Sequence, residues 1–250
     1  MITHITYRSE TYTIDLSRPL DISIPMRGDH SNVTAWYVGP PEIGPHISGD
    51  FVGKVSEGGS TNFNDIRFNP HAHGTHTECV GHITEDFHSV NGCLENFFYL
   101  AELVTITPEV QGEDLVISRS LLQTVLGDRK FPAVIIRTMP NSREKLSRQY
   151  SHSNPPYLSE GAAQLLAEKK VEHLLVDLPS IDREKDNGAL LAHRAFWNFK
   201  GPLRLGATIT EFIFVDNSIS DGAYFLDLQV ASFENDASPS RPVLYKILTS

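Results

Sequence analysis

The sequence predicts an α/β fold, a single domain over residues 1–250 with a mixed β-sheet core and flanking helices. Three observations carry that expectation: short β-branched apolar runs recur along the chain, two capped helical segments are each followed by such a run, and no repeat or long linker divides it. Strands are expected at residues 11–16, 102–107, 133–139, 173–178, 209–215, 224–233 and 243–248. One helix is expected to begin near Ser118 or Ser120 and to run through Leu121, Leu122, Val125 and Leu126, with Gly127 as its stop. The other begins at Ser159 and carries Ala162, Ala163, Leu165, Leu166 and Ala167. It ends at Lys169 and Lys170, where cations suit the helix dipole. Residues 21–69, rich in Gly, Pro and Ser, read as loops and hairpins, and residues 141–156 as a second polar loop. Loops of that length in a compact domain often carry function.

Composition narrows the function. Acidic residues number 31 against 21 basic, a formal net charge of -10. Binding to nucleic acid or to an anionic membrane surface needs a basic patch, so neither partner is expected. The balance also argues mildly against a highly anionic substrate. Two cysteines, Cys79 and Cys93, are too few for a disulfide-stapled secreted domain. With no apolar signal segment and no 18-residue apolar run, a cytoplasmic setting is expected.

Five of the eleven histidines (His71, His73, His76, His82 and His88) fall within 18 residues, where even scatter over 250 positions would put fewer than one. Gly74 and Gly81, with β-branched Thr75, Thr77 and Val80, disfavour a helix there. In an extended strand, residues two apart share a face, so His76 and Glu78 point the same way. A bend at Gly74 can bring His71 or His73 to that face, and a second at Gly81 can return His82. Two or three imidazoles plus a carboxylate suit Zn²⁺, Mn²⁺ or Fe²⁺. Far downstream, Glu211 lies inside an apolar strand run, a costly place for a carboxylate that is neither paired nor metal-bound.

The stretch Gly74 to His82 resembles the H-x-G-T-H-x-[DE]-x-P-x-H signature of the cyclase-like metal hydrolases, a family that includes bacterial-type kynurenine formamidases (arylformamidases) and isatin hydrolases. Three further segments extend the resemblance along most of the chain: Asp15-Leu16-Ser17-Arg18-Pro19-Leu20, Tyr157-Leu158-Ser159-Glu160-Gly161-Ala162-Ala163, and Val176-Asp177-Leu178-Pro179-Ser180-Ile181-Asp182. The resemblance implies a swivelling β/β/α type of fold. It places His76, Glu78 and His82 on motif ligands and matches His193 and Glu211 to the family's downstream histidine and glutamate. It also implies a homodimer or homotetramer. This sequence departs from the signature at three places. Ala72 stands where the first histidine belongs, so His71, or alternatively His73, supplies that ligand after a one-residue shift. Val80 replaces the proline, and Glu78 the commoner aspartate.

The implied site is the first motif histidine, His76, Glu78, His193 and Glu211 around one or two divalent ions, Zn or Mn. His82 either binds a second ion or serves as general acid and base. The carboxylate of Glu211 sits at the reaction as well as in the metal set. Asp182 is expected to orient a ligand histidine or to cap a turn, and His88 to stand aside. The resulting expectation is metal-dependent, arylformamidase-like hydrolysis of a small linear or cyclic amide, with Trp36, Phe63, Phe68 and Phe87 lining an apolar pocket. Alternatives are lactone hydrolysis or a cyclisation or dehydration at the same site, and a metal-stabilised binding protein without activity. A nucleophilic hydrolase using Cys79 or a serine is disfavoured, since no G-x-S-x-G elbow occurs and Cys79 reads as a small core residue.

Overall fold

Val134 and Ile136 pack with one buried cluster, and Ala133 and Ile135 with another. A strand covered on both faces in this way belongs at the centre of a sheet whose crossover connections carry helices. The computed structural model, which describes residues 1–7 and 9–248, has this arrangement. Eleven strands form its main sheet: β1 (Ile2–Tyr7), β2 (Glu10–Asp15), β3 (Leu20–Asp21), β4 (His76–Glu78), β5 (Phe98–Ile106), β6 (Ala133–Thr138), β7 (His173–Val176), β8 (Thr208–Glu211), β9 (Gly222–Asp227), β10 (Ala237–Pro239) and β11 (Val243–Leu248). Their order is β1-β2-β11-β9-β5-β6-β7-β8-β4-β10, with β3 also paired to β11. The four central strands β5 to β8 run parallel, and the wings are antiparallel. This is the α/β mixed sheet that the sequence predicts.

Besides the short α1 (Val90–Cys93), helices α2 (Arg119–Leu126), α3 (Glu160–Glu168) and α4 (Leu191–Phe196) join successive parallel strands and bury their apolar sides in one cluster. The expected serine caps are in place: Ser118 accepts from the Leu121 N–H and Ser159 from the Ala162 N–H. The 42–67 region forms two small hairpins, Glu42–Pro45 with Asn64–Arg67 and Ile47–Ser48 with Phe51–Val52. Among the described residues, no helix is long and apolar enough to cross a membrane.

Two strands are shorter than their apolar runs suggest. The 209–215 run leaves the sheet after Glu211, where Phe212 takes φ 56°, and residues 212–215 are buried as irregular chain. The 224–233 run leaves after Asp227, although Leu228 and Val230 still pack in the core. Burial, rather than pairing, accounts for apolarity there. Strand β1 and helix α4 are additions to the expected elements. The N-cap of α4 is Leu190 at φ 46° with no capping side chain, so it leaves no start signal.

His173 is buried at the start of β7, with its ring 4.0 Å from that of Tyr99 and its Nδ1 2.8 Å from Thr208 Oγ1. Burial, helped by the Arg204 charge, lowers its pKa from 6.5 to about 3. Between these values the unfolded chain binds a proton that the folded chain refuses. His173 therefore contributes stability above pH 6.5 that is lost as pH falls toward 3. Chemical denaturation of His173→Gln is expected to show a pH slope about 1.4 kcal/mol per unit shallower than wild type between about pH 6 and pH 4. Equal slopes would remove His173 from the acid response.

Candidate metal centre

Strand β4 is three residues long and pairs on both sides, with Glu78 opposite Ile209 of β8 and Ala237 of β10. That pairing buries His76, Thr77 and Glu78 completely. The alternation of the strand sends His76 and Glu78 to the site and Thr77 to the opposite face, where its hydroxyl meets that of Thr210 at 2.8 Å. The first bend falls at Gly74, with φ 134°. The second follows Cys79, where Val80–Ile83 form a 3₁₀ turn with Val80 in the core. At Gly81 a Cβ would lie 2.2 Å from the His88 carbonyl oxygen, so a side chain has no room there.

The carboxylate of Glu78 is the centre of the cluster. Its Oε1 lies 2.9 Å from His193 Nε2, and its Oε2 lies 3.1 Å from His71 Nδ1 and 3.9 Å from His82 Nε2. Glu211, the last residue of β8, puts Oε2 3.5 Å from His76 Nε2 and Oε1 3.8 Å from His193 Nε2, while Oε1 also accepts from the Ile181 N–H at 2.9 Å. Helix α4 delivers His193. Asp182 accepts from the Ala192 and His193 backbone N–H groups and from His193 Nδ1 at 2.5 Å, so it caps the helix and orients the ring together.

His71, His76, Glu78, His82, His193 and Glu211, named from the sequence, therefore converge although 140 residues separate the first from the last. His73 does not join them. Its Nδ1 accepts from the Asn69 N–H at 2.9 Å, and its Nε2–H donates to the Gly39 carbonyl at 2.8 Å, so both nitrogens are engaged elsewhere. His88 is likewise outside the cluster and lines a separate, shallower hollow of about 850 Å³ that contains none of the six.

Asp236, which carries no signal in the sequence, lies in the loop before β10. Its Oδ2 is 2.9 Å from His71 Nε2 and 3.2 Å from His82 Nδ1. Nothing in Glu234-Asn235-Asp236 distinguishes it from an ordinary solvated loop acid; only the fold reveals its position.

The electrostatics are those of carboxylates in need of positive charge. Burial opposes the Glu78 charge, yet His82 and His193 outweigh it and hold the carboxyl well below its usual range. Burial likewise opposes the charge on His193, and Glu78 and Asp182 raise it well above the usual imidazole value. For His71, burial is overcome by hydrogen bonds to Asp236 and Glu78, which lift it to about 10. Hydrogen bonds from His71 and His82 lower Asp236. Even so, His76 Nε2 is buried without a hydrogen-bond partner, and Glu78 Oε2 has only its ion-pair contacts to His71 and His82. Since His76 donates its other nitrogen to the Gly74 carbonyl at 3.0 Å, Nε2 faces the site as a bare lone pair. Imidazole nitrogens and carboxylate oxygens in this arrangement fit a divalent transition ion. Three groups could each hold one: His71 with His76 and Glu78, Glu78 with His82 and His193, and His71 with His82 and Asp236.

The cluster opens into a cavity of about 290 Å³, with Trp36 and Leu190 as apolar lining and Arg183 and Glu184 beside them. Of the four aromatics expected there, only Trp36 lines it. Phe63 is exposed on the hairpin region, Phe68 stacks on Phe233 at 6.1 Å, and Phe87 lines the separate hollow. Proximity in sequence misplaced Phe63 because the hairpin strands carry residues 42–67 away from the cavity, and Phe68 and Phe87 because they pack elsewhere. Cys79 points away from the cluster. Its hydrogen bond with the Cys93 thiol, reinforced by burial, pushes its pKa up, which works against a thiolate nucleophile.

Solved structures share this fold. Isatin hydrolase A from Labrenzia aggregata, bound to benzyl benzoate, superposes with a TM-score of 0.67 at 12% identity, over 92% of this chain and 94% of that one. Isatin hydrolase A from Ralstonia solanacearum gives 0.66 at 16% identity over 91% of each chain. A protein described as a potential metal-dependent hydrolase with cyclase activity gives 0.66 at 17% identity, over 93% of this chain and 99% of its own. No curated protein matches the sequence. The Cyclase family model matches residues 14–183, well over half the chain, and the protein belongs to the Cyclase family.

Proposed function

We propose that this chain is a metal-dependent hydrolase that opens the C–N bond of a small linear or cyclic amide, arylformamidase-like in its chemistry. The observation that carries the reading is the buried, unpartnered His76 Nε2, set among the Glu78 and Glu211 carboxylates and three further imidazoles beside a small cavity. Leaving polar atoms bare in a protein interior is costly, and a cation removes the cost. Neighbours named isatin hydrolase support a small amide as the substrate.

We assign His71, His76, Glu78, His193 and Glu211 to holding one or two divalent ions, Zn or Mn; the membership of Glu78 in two candidate groups supports the second ion. A divalent ion there acidifies water and polarises an amide carbonyl. Asp182 fixes the His193 ring, and the Ile181 N–H fixes Glu211, so both hold their inward atoms without rearranging. His82 is the more exposed imidazole at the cavity, with Nδ1 bonded to Asp236 and Nε2 toward Glu78. It is placed to take a proton at Nε2 and return it to the leaving nitrogen. Trp36 and Leu190 give the substrate an apolar wall.

The protein should purify with bound metal and hydrolyse isatin, N-formylkynurenine or a related amide faster than simple lactones. Chelation should abolish the activity and Zn²⁺ or Mn²⁺ restore it. Full activity in a preparation shown to be metal-free would sink the assignment, and turnover of lactones alone would change the substrate class.

A further inference from the structure

Each imidazole of the cluster has one nitrogen facing the carboxylates and the other held from behind. His76 is held by the Gly74 carbonyl and His193 by Asp182. His71 and His82 share a single holder, the Oδ2 atom of Asp236, which reaches His71 Nε2 at 2.9 Å and His82 Nδ1 at 3.2 Å. The two rings lie 4.3 Å apart between centroids, near enough for one oxygen to serve both.

We infer that Asp236 is a positioning residue that fixes which nitrogen each of two histidines turns to the site: Nδ1 for His71 and Nε2 for His82. The inference rests on the metal-site reading above and adds to it a selection of ring nitrogen. His71 needs that selection because it stands one residue before the position expected of the first motif histidine, now Ala72, and approaches Glu78 through Nδ1 rather than Nε2. With its Nε2–H donated to a carboxylate, the ring would offer an ion its Nδ1, once the proton that Nδ1 shares with Glu78 is displaced. The backbone of Asp236 holds the residue in place independently of its side chain, since its carbonyl accepts from the Cys79 N–H at 2.9 Å at the end of β4. Asp236 also lies beyond the 14–183 span of the family match, in a segment where the sequence signature gives no guidance.

The test reads nitrogens and metal, with no need of turnover. In zinc-loaded, ¹⁵N-labelled wild type, long-range ¹H–¹⁵N correlation should show His71 bound to the ion through Nδ1 with its proton on Nε2, and His82 protonated on Nδ1. Asp236→Asn should bind zinc about 10- to 100-fold more weakly and show His71 in more than one ring state, whereas Asp236→Glu should recover part of the affinity. His71 coordinated through Nε2 in the wild type would overturn the inference whether or not any variant folds. Wild-type affinity in Asp236→Asn, with His71 still bound through Nδ1, would also overturn it while leaving the metal site intact. A wild type that retains no zinc would fail the metal reading itself, and this one with it.

Discussion

Glu78→Gln should retain the fold and lose the metal, with zinc affinity reduced by more than about 100-fold, beyond what loss of an outer hydrogen-bond partner costs. No other side chain touches as much of the site: His193 Nε2 at 2.9 Å, His71 Nδ1 at 3.1 Å and His82 Nε2 at 3.9 Å all face its two oxygens. Glutamine keeps the volume, so β4 still pairs with β8 and β10, but the negative charge that offsets an ion is gone. In the metal-free protein the same change removes the charge that raises His71 and His193. These rings can release a proton, which limits the loss of stability below that of a stranded permanent charge. His73→Ala makes the informative control. It deletes a histidine from the same segment, yet both of its nitrogens are engaged outside the cluster, so metal occupancy should not change. Metal analysis after dialysis, with melting curves for both variants, separates the outcomes. Full occupancy in Glu78→Gln, or metal loss in His73→Ala, would reject this ligand set.

The contrast between these two histidine-segment positions shows what the sequence makes legible. A strand has period two, so spacing alone puts His76 and Glu78 on one face. The bends at Gly74 and Gly81 are legible because glycine permits the positive φ that Gly74 takes and the close backbone approach at Gly81. The central strands and the two capped helices are legible too, since burial on both faces and serine caps both leave local patterns. His193 and Glu211 enter through the family resemblance, although Glu211 also stands out as a carboxylate in an apolar run. Asp236 leaves no signal, because its role arises only where β10 folds back beside β4. The ends of the apolar runs mislead for a related reason. Phe212 and Leu228 are buried by packing after the chain has left the sheet, and hydropathy does not separate the two kinds of burial. The polar segment 141–156 also conceals a buried lysine, Lys145, whose three donors all find acceptors.

Lys145→Met is expected to cost about 3–5 kcal/mol of folding stability, the range for stranding one member of a buried ion pair. Lys145 sits in the 3₁₀ turn Arg143–Leu146 and is buried with its ammonium 2.8 Å from Asp177 Oδ2, 2.8 Å from the Thr138 carbonyl and 2.9 Å from the Thr138 hydroxyl. Asp177, just past β7, also accepts from the Thr138 N–H and hydroxyl at the end of β6. Each charge is fully satisfied, and the network ties the 141–156 loop to the carboxyl ends of two parallel strands. From that loop Leu146 and Tyr150 pack against Phe212, the residue after Glu211. Burial pushes the Asp177 carboxyl above its usual range in spite of Lys145. The pair as a whole therefore adds little net stability, even though removing one partner is costly. That distinction gives the test its shape. Lys145→Met leaves a carboxylate without its cation, whereas adding Asp177→Asn removes the charge and keeps an oxygen for the Thr138 N–H. The double variant should be more stable than Lys145→Met, and a double-mutant cycle in urea should return a coupling of at least about 1–3 kcal/mol. Folded Lys145→Met should keep its metal, because no ligand atom belongs to the network. A loss below about 1 kcal/mol in Lys145→Met, or independent effects of the two substitutions, would show that the 141–156 loop is held by its apolar contacts with Phe212 instead.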